Sequence, residues 1–101
     1  MDFTQQTTSD GAVVSLAGAF TFKDHHSFRS LLDVLKIVPG RRLVLDLSRV
    51  EFLDSAALGM LLIAEDEAKI VGCTLILRKA PPSIARLIQL AAMDTLFTIE
   101  P

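Results

Sequence analysis

The chain lacks most of what would commit it to nucleic acid, membrane or metal. It has one cysteine, Cys73, so it forms no intramolecular disulfide and offers no cysteine-rich zinc site. It has no excess of basic charge: ten Lys and Arg stand against twelve Asp and Glu, a formal charge of −2 at pH 7. Nucleic-acid binders usually carry a basic domain or stripe. Here the basic residues are scattered, and only Arg41-Arg42 and Arg78-Lys79 are adjacent. No apolar run approaches the roughly 18 residues of a membrane span. Met1 to Thr8 has neither a basic n-region nor an apolar h-region, so no signal peptide is expected there. G-x-S-x-G, G-x-x-x-x-G-K-[ST] and G-x-G-x-x-G are all absent. Their absence argues against a hydrolase elbow, a phosphate-binding loop and a dinucleotide turn. The expectation is a soluble cytoplasmic protein without cofactor or metal, and not an enzyme.

What is present is a core. At 101 residues with 50% hydrophobic content, the chain reads as one domain spanning 1–101. Phe3 to Thr8 is a polar edge strand, Ser9-Asp10-Gly11 a turn, and Ala12 to Ala17 a more buried strand, so a hairpin is expected. A loop follows, anchored on the core by Phe20 and Phe22. Thr21 or Asp24 is suited to cap the helix marked by Phe28, Leu31, Leu32 and Leu35, which Pro39-Gly40 stops. Arg42 to Leu47 reads as the central strand. Met60 to Val71 reads as a helix closed by Gly72, and Cys73 to Arg78 as the next strand. Pro82 or Ser83 opens a helix with Ile84, Leu87, Ile88 and Ala91 on one stripe. Leu96 to Ile99 adds a short strand. The order β-β-α-β-α-β-α-β predicts an α/β fold: a mixed sheet of four to five strands with helices packed largely on one face.

The stretch Val50 to Leu61 organises the rest. Asp54 and Ser55 fall where the chain leaves the sheet and enters a helix, and both are good N-cap residues. From the residues alone, Ser55 is either a plain cap or a hydroxyl ordered at a helix N-terminus that tolerates an added phosphate. At 100° per residue, Ala57, Met60, Leu61, Ala64, Ala68 and Val71 form a stripe expected to face the sheet. Ser55, Leu58, Gly59, Leu62 and Asp66 fall opposite. Two leucines and a glycine beside Ser55 on a side expected to be solvated look like a binding surface, unless the preceding helix covers Leu58 or Leu62.

Other candidates carry less. His25-His26 are adjacent and expected to point apart, with no second ligand set, which reads as a solvated loop. Asp46 lacks the acidic pair and lysine of a phospho-accepting receiver and reads as an acceptor for backbone N–H groups. Cys73 is expected to be buried and inert. Glu65-Asp66-Glu67 with Lys69 reads as a solvated helix face carrying a Glu65–Lys69 pair.

Asp46-Leu-Ser-Arg-Val-Glu-Phe-Leu-Asp-Ser-Ala-Ala-Leu-Gly59 resembles the signature of STAS domains of the anti-sigma-factor-antagonist type. Asp46, Ser48, Val50, Phe52, Asp54, Ser55, Leu58 and Gly59 match it, and Ala57 stands where many members have glycine. Leu16-Ala-Gly-Ala-Phe-Thr-Phe22 resembles the family's first loop, with Thr21 in place of the usual aspartate. The order of elements is also that of the family. The resemblance implies a phosphorylation site at Ser55 and partner contacts by the Thr21 loop; together with the helix face, the expected partner-binding residues are Asp54, Ser55, Leu58, Gly59, Leu62 and Thr21. It further implies an unmodified form that binds an anti-sigma factor or related regulator. A serine kinase, sometimes that regulator itself, would phosphorylate Ser55 and break the complex, and a PP2C-type phosphatase would restore it. The alternative is a STAS subunit of an ABC transporter of the lipid-transport type, stabilising its ATPase without a phosphoswitch. A third possibility is an unmodified interaction scaffold.

Overall fold

Position 11 has to be glycine. A Cβ there would stand 1.7 Å from the carbonyl oxygen of Arg42. Only glycine lets the strand after the Ser9-Asp10 turn lie so close to its neighbour. That turn joins β1 (Asp2–Thr8) to β2 (Gly11–Phe20) as an antiparallel hairpin, in unbroken register from Asp2–Ala17 to Thr8–Gly11. The computed structural model describes residues 1–37 and 42–101, without the side chains of 34–37. The expected helix stop at Pro39-Gly40, the neighbouring Arg41 and the side chain of Leu35 therefore lie outside the described residues.

A 3-10 turn (Phe22–Asp24) leads into α1 (His25–Ile37), followed by β3 (Arg42–Leu53), α2 (Ser55–Val71), β4 (Thr74–Arg78), α3 (Pro82–Leu90) and β5 (Thr98–Glu100). The five strands lie side by side in chain order, and every pairing after the hairpin is parallel. Right-handed crossovers that all step the same way leave their helices on one face of the sheet. The core agrees with this. Leu16, Leu45 and Leu77 from the strands share one cluster with Phe28 of α1, Leu61 of α2 and Ile84 of α3. The expected mixed sheet with a single helical layer is what forms, and α2 is the middle helix of that layer.

The face without helices is closed by charge. Val44 and Ile76 alternate out of the helix-side cluster yet are only 4% exposed. Arg42 reaches Glu100 at 3.5 Å and Asp10 at 3.5 Å, and Arg78 reaches Glu100 at 2.8 Å. These long side chains lay their apolar stems along the sheet while their heads stay paired.

The helix ends follow local chemistry. Gly72 takes the left-handed conformation (φ 75°), and the Cys73 N–H returns to the Ala68 carbonyl at 2.8 Å, which stops α2 as expected. Pro82 is the first residue of α3, where its missing N–H costs nothing. Ala91 lies beyond that helix and is exposed, so it does not extend the Ile84–Ile88 stripe.

Three further expectations are corrected. The central strand runs to Leu53 rather than ending at Leu47, because β2 continues to pair with it after β4 has stopped. Phe20 is fully buried against Phe28, with ring centroids 5.0 Å apart, whereas Phe22 is 63% exposed and does not anchor the loop. Glu65 is half-buried rather than solvated, with one carboxylate oxygen buried without a partner among the described residues. Burial raises its pKa, and the nearby Lys69 only partly offsets this. Among the described residues no helix is long and apolar enough to cross a membrane.

Candidate functional site

β4 leaves β3 at the Asp46–Arg78 pair, while β2 stays with β3 as far as Phe20–Leu53. The end of β3 is therefore a two-stranded arm. It is irregular: the register shifts between Ser15 and Ala17 and again between Gly18 and Ala19. Asp46 stands at the first shift and accepts the Ser48 N–H at 2.9 Å, which gives the extra backbone donor a partner. Burial pushes its carboxyl up, but the Ser48 hydrogen bonds and the Lys79 and Arg78 charges outweigh it and hold the pKa below the usual range. Asp46 organises the arm, as its place in the sequence suggested.

At the tip of the arm a single residue, Asp54, separates strand from helix. Its Oδ1 accepts the Ala57 N–H at 2.8 Å, capping α2. Its Oδ2 accepts the Phe22 N–H at 3.1 Å, and its own N–H donates to the Phe20 carbonyl at 3.3 Å. One carboxylate thus fixes the start of α2 and ties the first loop to it. Asp54 is half-buried with both oxygens engaged, so its role here is to position its neighbours.

The first loop is held from its other side as well. Thr21 Oγ1 accepts the Lys23 N–H at 3.4 Å, and Asp24 Oδ2 accepts the Thr21 N–H at 2.8 Å, a capping box that starts the 3-10 turn. The Met1 ammonium donates to Asp24 Oδ1 at 2.9 Å. Burial acts against ionisation of Asp24, but the Thr21 N–H and this ammonium win and keep its pKa low. Thr21, which replaces the usual aspartate, is a half-buried cap. The residue it presents to solvent is the next one, Phe22. Its ring stacks on His25 with centroids 4.9 Å apart, and the His26 ring is 4.1 Å from His25. The two histidines were expected to point apart, and their rings instead lie together. Among the described residues no three metal-ligating side chains gather.

Ser55 is the first residue of α2 and is exposed, and its hydroxyl makes no hydrogen bond among the described residues. Asp54, not Ser55, supplies the cap. Gly59 lies one turn on, and a Cβ there would meet nothing within 4 Å. No packing among the described residues calls for a glycine at that point, although glycine in a helix interior costs about 1 kcal/mol relative to alanine.

The expected Ser55–Leu58–Gly59–Leu62 surface needs correction. Leu58 is 8% exposed and belongs to the core, and Leu62 is half-buried against it. α1 packs along α2, and Leu58 shares the core cluster with side chains of α1 and α3, so α2 is covered along a flank as well as on the side facing the sheet. A count from the sheet-facing stripe alone treats that flank as solvent. The apolar residues that do lie outward, Ile63 (54% exposed) and Ile70 (79%), were not singled out from the sequence. They were legible there: Gly59 and Ile63 follow Ser55 at i+4 and i+8, on the same side of the helix. Phe52, in the arm, is also exposed. Between α1 and α2 runs a half-open groove of about 270 Å³, walled by Phe28, Leu32, Met60 and Ile63 and rimmed by His25, Arg29, Asp33 and Glu67.

A sheet with one helical layer, a two-stranded arm and a free serine hydroxyl opening the middle helix defines a STAS-type α/β domain. Residues 3–99 match the family model described as Mlab, STAS domain. The chain belongs to the STAS domain family. It is 33% identical over 101 residues to a STAS-domain-containing protein of Pseudomonas aeruginosa, a match covering 98% of this chain and 99% of that one. An anti-sigma factor antagonist from Mycobacterium paratuberculosis is similar in structure, with TM-score 0.82 and 27% identity, over 99% of this chain and 85% of that one. An anti-sigma-factor antagonist domain protein from Planctomyces limnophilus shares the fold with TM-score 0.86 at 16% identity, over 99% of this chain and 90% of that one.

Proposed function

We propose that this chain is a non-catalytic anti-sigma factor antagonist whose partner binding is switched by phosphorylation of Ser55. One observation carries the reading: Ser55 offers an exposed hydroxyl, free of intrachain hydrogen bonds among the described residues, at the first position of α2. A kinase can reach such a group without unfolding anything. A phosphate there adds about −1.5 to −2 charges and three acceptor oxygens. The unpaired N–H groups of the α2 N-terminus favour it, and the Asp54 carboxylate next to it does not. These effects oppose each other inside the chain, so the fold stays. A partner seated over Ser55, Gly59 and Ile63 would meet a doubly charged group on a largely apolar contact, where desolvation without compensation is expensive. The similarity in structure to the 27%-identical mycobacterial antagonist supports the class of partner.

The test is capture by purified anti-sigma factors and serine kinases of the source organism, using wild-type, Ser55→Ala and Ser55→Asp proteins. Wild type and Ser55→Ala should bind the same regulator and Ser55→Asp should not, with unchanged circular dichroism. Kinase-dependent phosphate should map to Ser55 and vanish in Ser55→Ala. Equal binding by Ser55→Asp, or phosphate that persists in Ser55→Ala, refutes the switch. A second reading, a STAS subunit that stabilises the ATPase of a lipid-transporting ABC system, is favoured by the family model matching residues 3–99. It predicts binding to the ATPase that is indifferent to Ser55→Asp.

A further inference from the structure

We propose that the outer edge of β1 is a strand-pairing interface and that its occupant is a second copy of this chain. The sheet has two edges, and they are treated differently. β5 is three residues long, Pro101 follows it, and its Glu100 side chain is held by Arg42 and Arg78. Shortness, proline and charge are devices by which edge strands avoid pairing. β1 is not short, has no proline and carries charge only at its first residue, Asp2. It is seven residues long, in unbroken register with β2, free of Pro, Lys and Arg, and exposed at every position. In an antiparallel pair, alternate residues turn their N–H and C=O groups away from the partner strand. β1 therefore presents a straight row of backbone donors and acceptors to solvent.

The sequence of β1 favours a copy of itself over a foreign strand. Phe3 to Thr8 is uncharged. Antiparallel pairing about a twofold axis at Gln5 sets Phe3 beside Thr7 of the second copy, Asp2 beside Thr8, and Gln5 beside its own counterpart. No charge meets its like, which would otherwise destabilise a cross-strand pair. The residues that face outward on one copy also meet those that face outward on the other, so the ladder closes in register. The Phe3 side chain, 39% exposed in one copy, gains a neighbour. Among the described residues nothing blocks the approach, because every position of β1 is exposed. The two β2 strands would lie three strand spacings apart, about 14 Å, with the helical layers on the same face. The pairing is independent of the role of Ser55. It places each Ser55 site beside the third strand from an outer edge of a ten-stranded sheet, both accessible.

The experiment is sedimentation of the full chain over a concentration series, with Gln5→Lys and Gln5→Glu variants measured alone and mixed. The expected result is a reversible dimer. Each variant alone should dimerise about fivefold more weakly, because like charges oppose each other at the axis, and the mixture should associate more tightly than either variant. A chain that stays monomeric up to about 1 mM overturns the proposal. So does a dimer that both variants leave unchanged, or a mixture no tighter than its components. If a variant melts well below wild type, amide hydrogen exchange on the wild-type chain decides. Protection at alternate β1 amides that rises with concentration supports the pairing, and exchange at β1 that ignores concentration overturns it.

Discussion

Removing the Asp54 carboxylate should separate two jobs that this side chain performs at once. In Asp54→Ala the Ala57 N–H loses its cap at 2.8 Å and the Phe22 N–H loses its acceptor at 3.1 Å. The cap is worth about 1 kcal/mol. The second bond, although exposed, is made to a charged acceptor and is worth about 1 kcal/mol more. A total near 2 kcal/mol in a domain this size lowers the melting temperature by about 10 °C. Asp54→Asn is the discriminating control. Its amide oxygen can still cap Ala57, since asparagine is as good an N-cap as aspartate. Its NH₂ group, however, points a donor at the Phe22 N–H. Asp54→Asn should therefore lose about 1 kcal/mol, plus a few tenths from the weaker interaction with the helix dipole. The assay is thermal melting followed by circular dichroism, paired with amide hydrogen exchange. The Phe22 amide should exchange faster in both variants, and the Ala57 amide only in Asp54→Ala. If the two variants melt together, or if Asp54→Ala melts with wild type, the carboxylate does not join loop and helix as described.

Substitutions at three further residues test the packing of α2. Leu58→Ala should cost about 2–3 kcal/mol in urea unfolding and Leu58→Lys should prevent folding, because Leu58 is a core residue; Ile63→Lys should melt with wild type and weaken partner capture. A Leu58→Lys protein with native circular dichroism would return that residue to the surface. Glu65→Gln should raise the melting temperature at neutral pH. Burial raises the Glu65 pKa, so its ionised form is disfavoured in the folded chain, and that penalty grows as pH rises through the ordinary glutamate range toward the raised value. The gain from Glu65→Gln should fade in acid, where the wild-type carboxyl is protonated, and a gain that is independent of pH would contradict the burial of that oxygen.

Much of the architecture was legible because it rests on local chemistry. Gly72 ends α2, Pro82 starts α3 and the Ser9-Asp10 turn folds the hairpin through short-range constraints that any chain obeys. Strand and helix order follows from apolar periodicity, but one helical layer forms only because every crossover steps the same way along the sheet, which the tertiary structure decided. The motif from Asp46 to Gly59 placed Ser55 at the start of a helix, and there it is. What the sequence could not decide is which positions lose solvent to elements far along the chain. Leu58 lies on the flank of α2, and whether a flank is wet depends on what packs beside the helix, as α1 does here. Phe20 and Phe22 are the same residue type two positions apart, yet one is buried on Phe28 and the other is exposed, because the capping box at Thr21 and Asp24 turns the backbone between them. Asp54 reads as a helix cap in one dimension. Only the return of β2 alongside β3 brings the Phe22 N–H, 32 residues earlier, to its second oxygen. Hydrogen bonds and burial across such separations are set by the sheet, and periodicity along the chain carries no record of them.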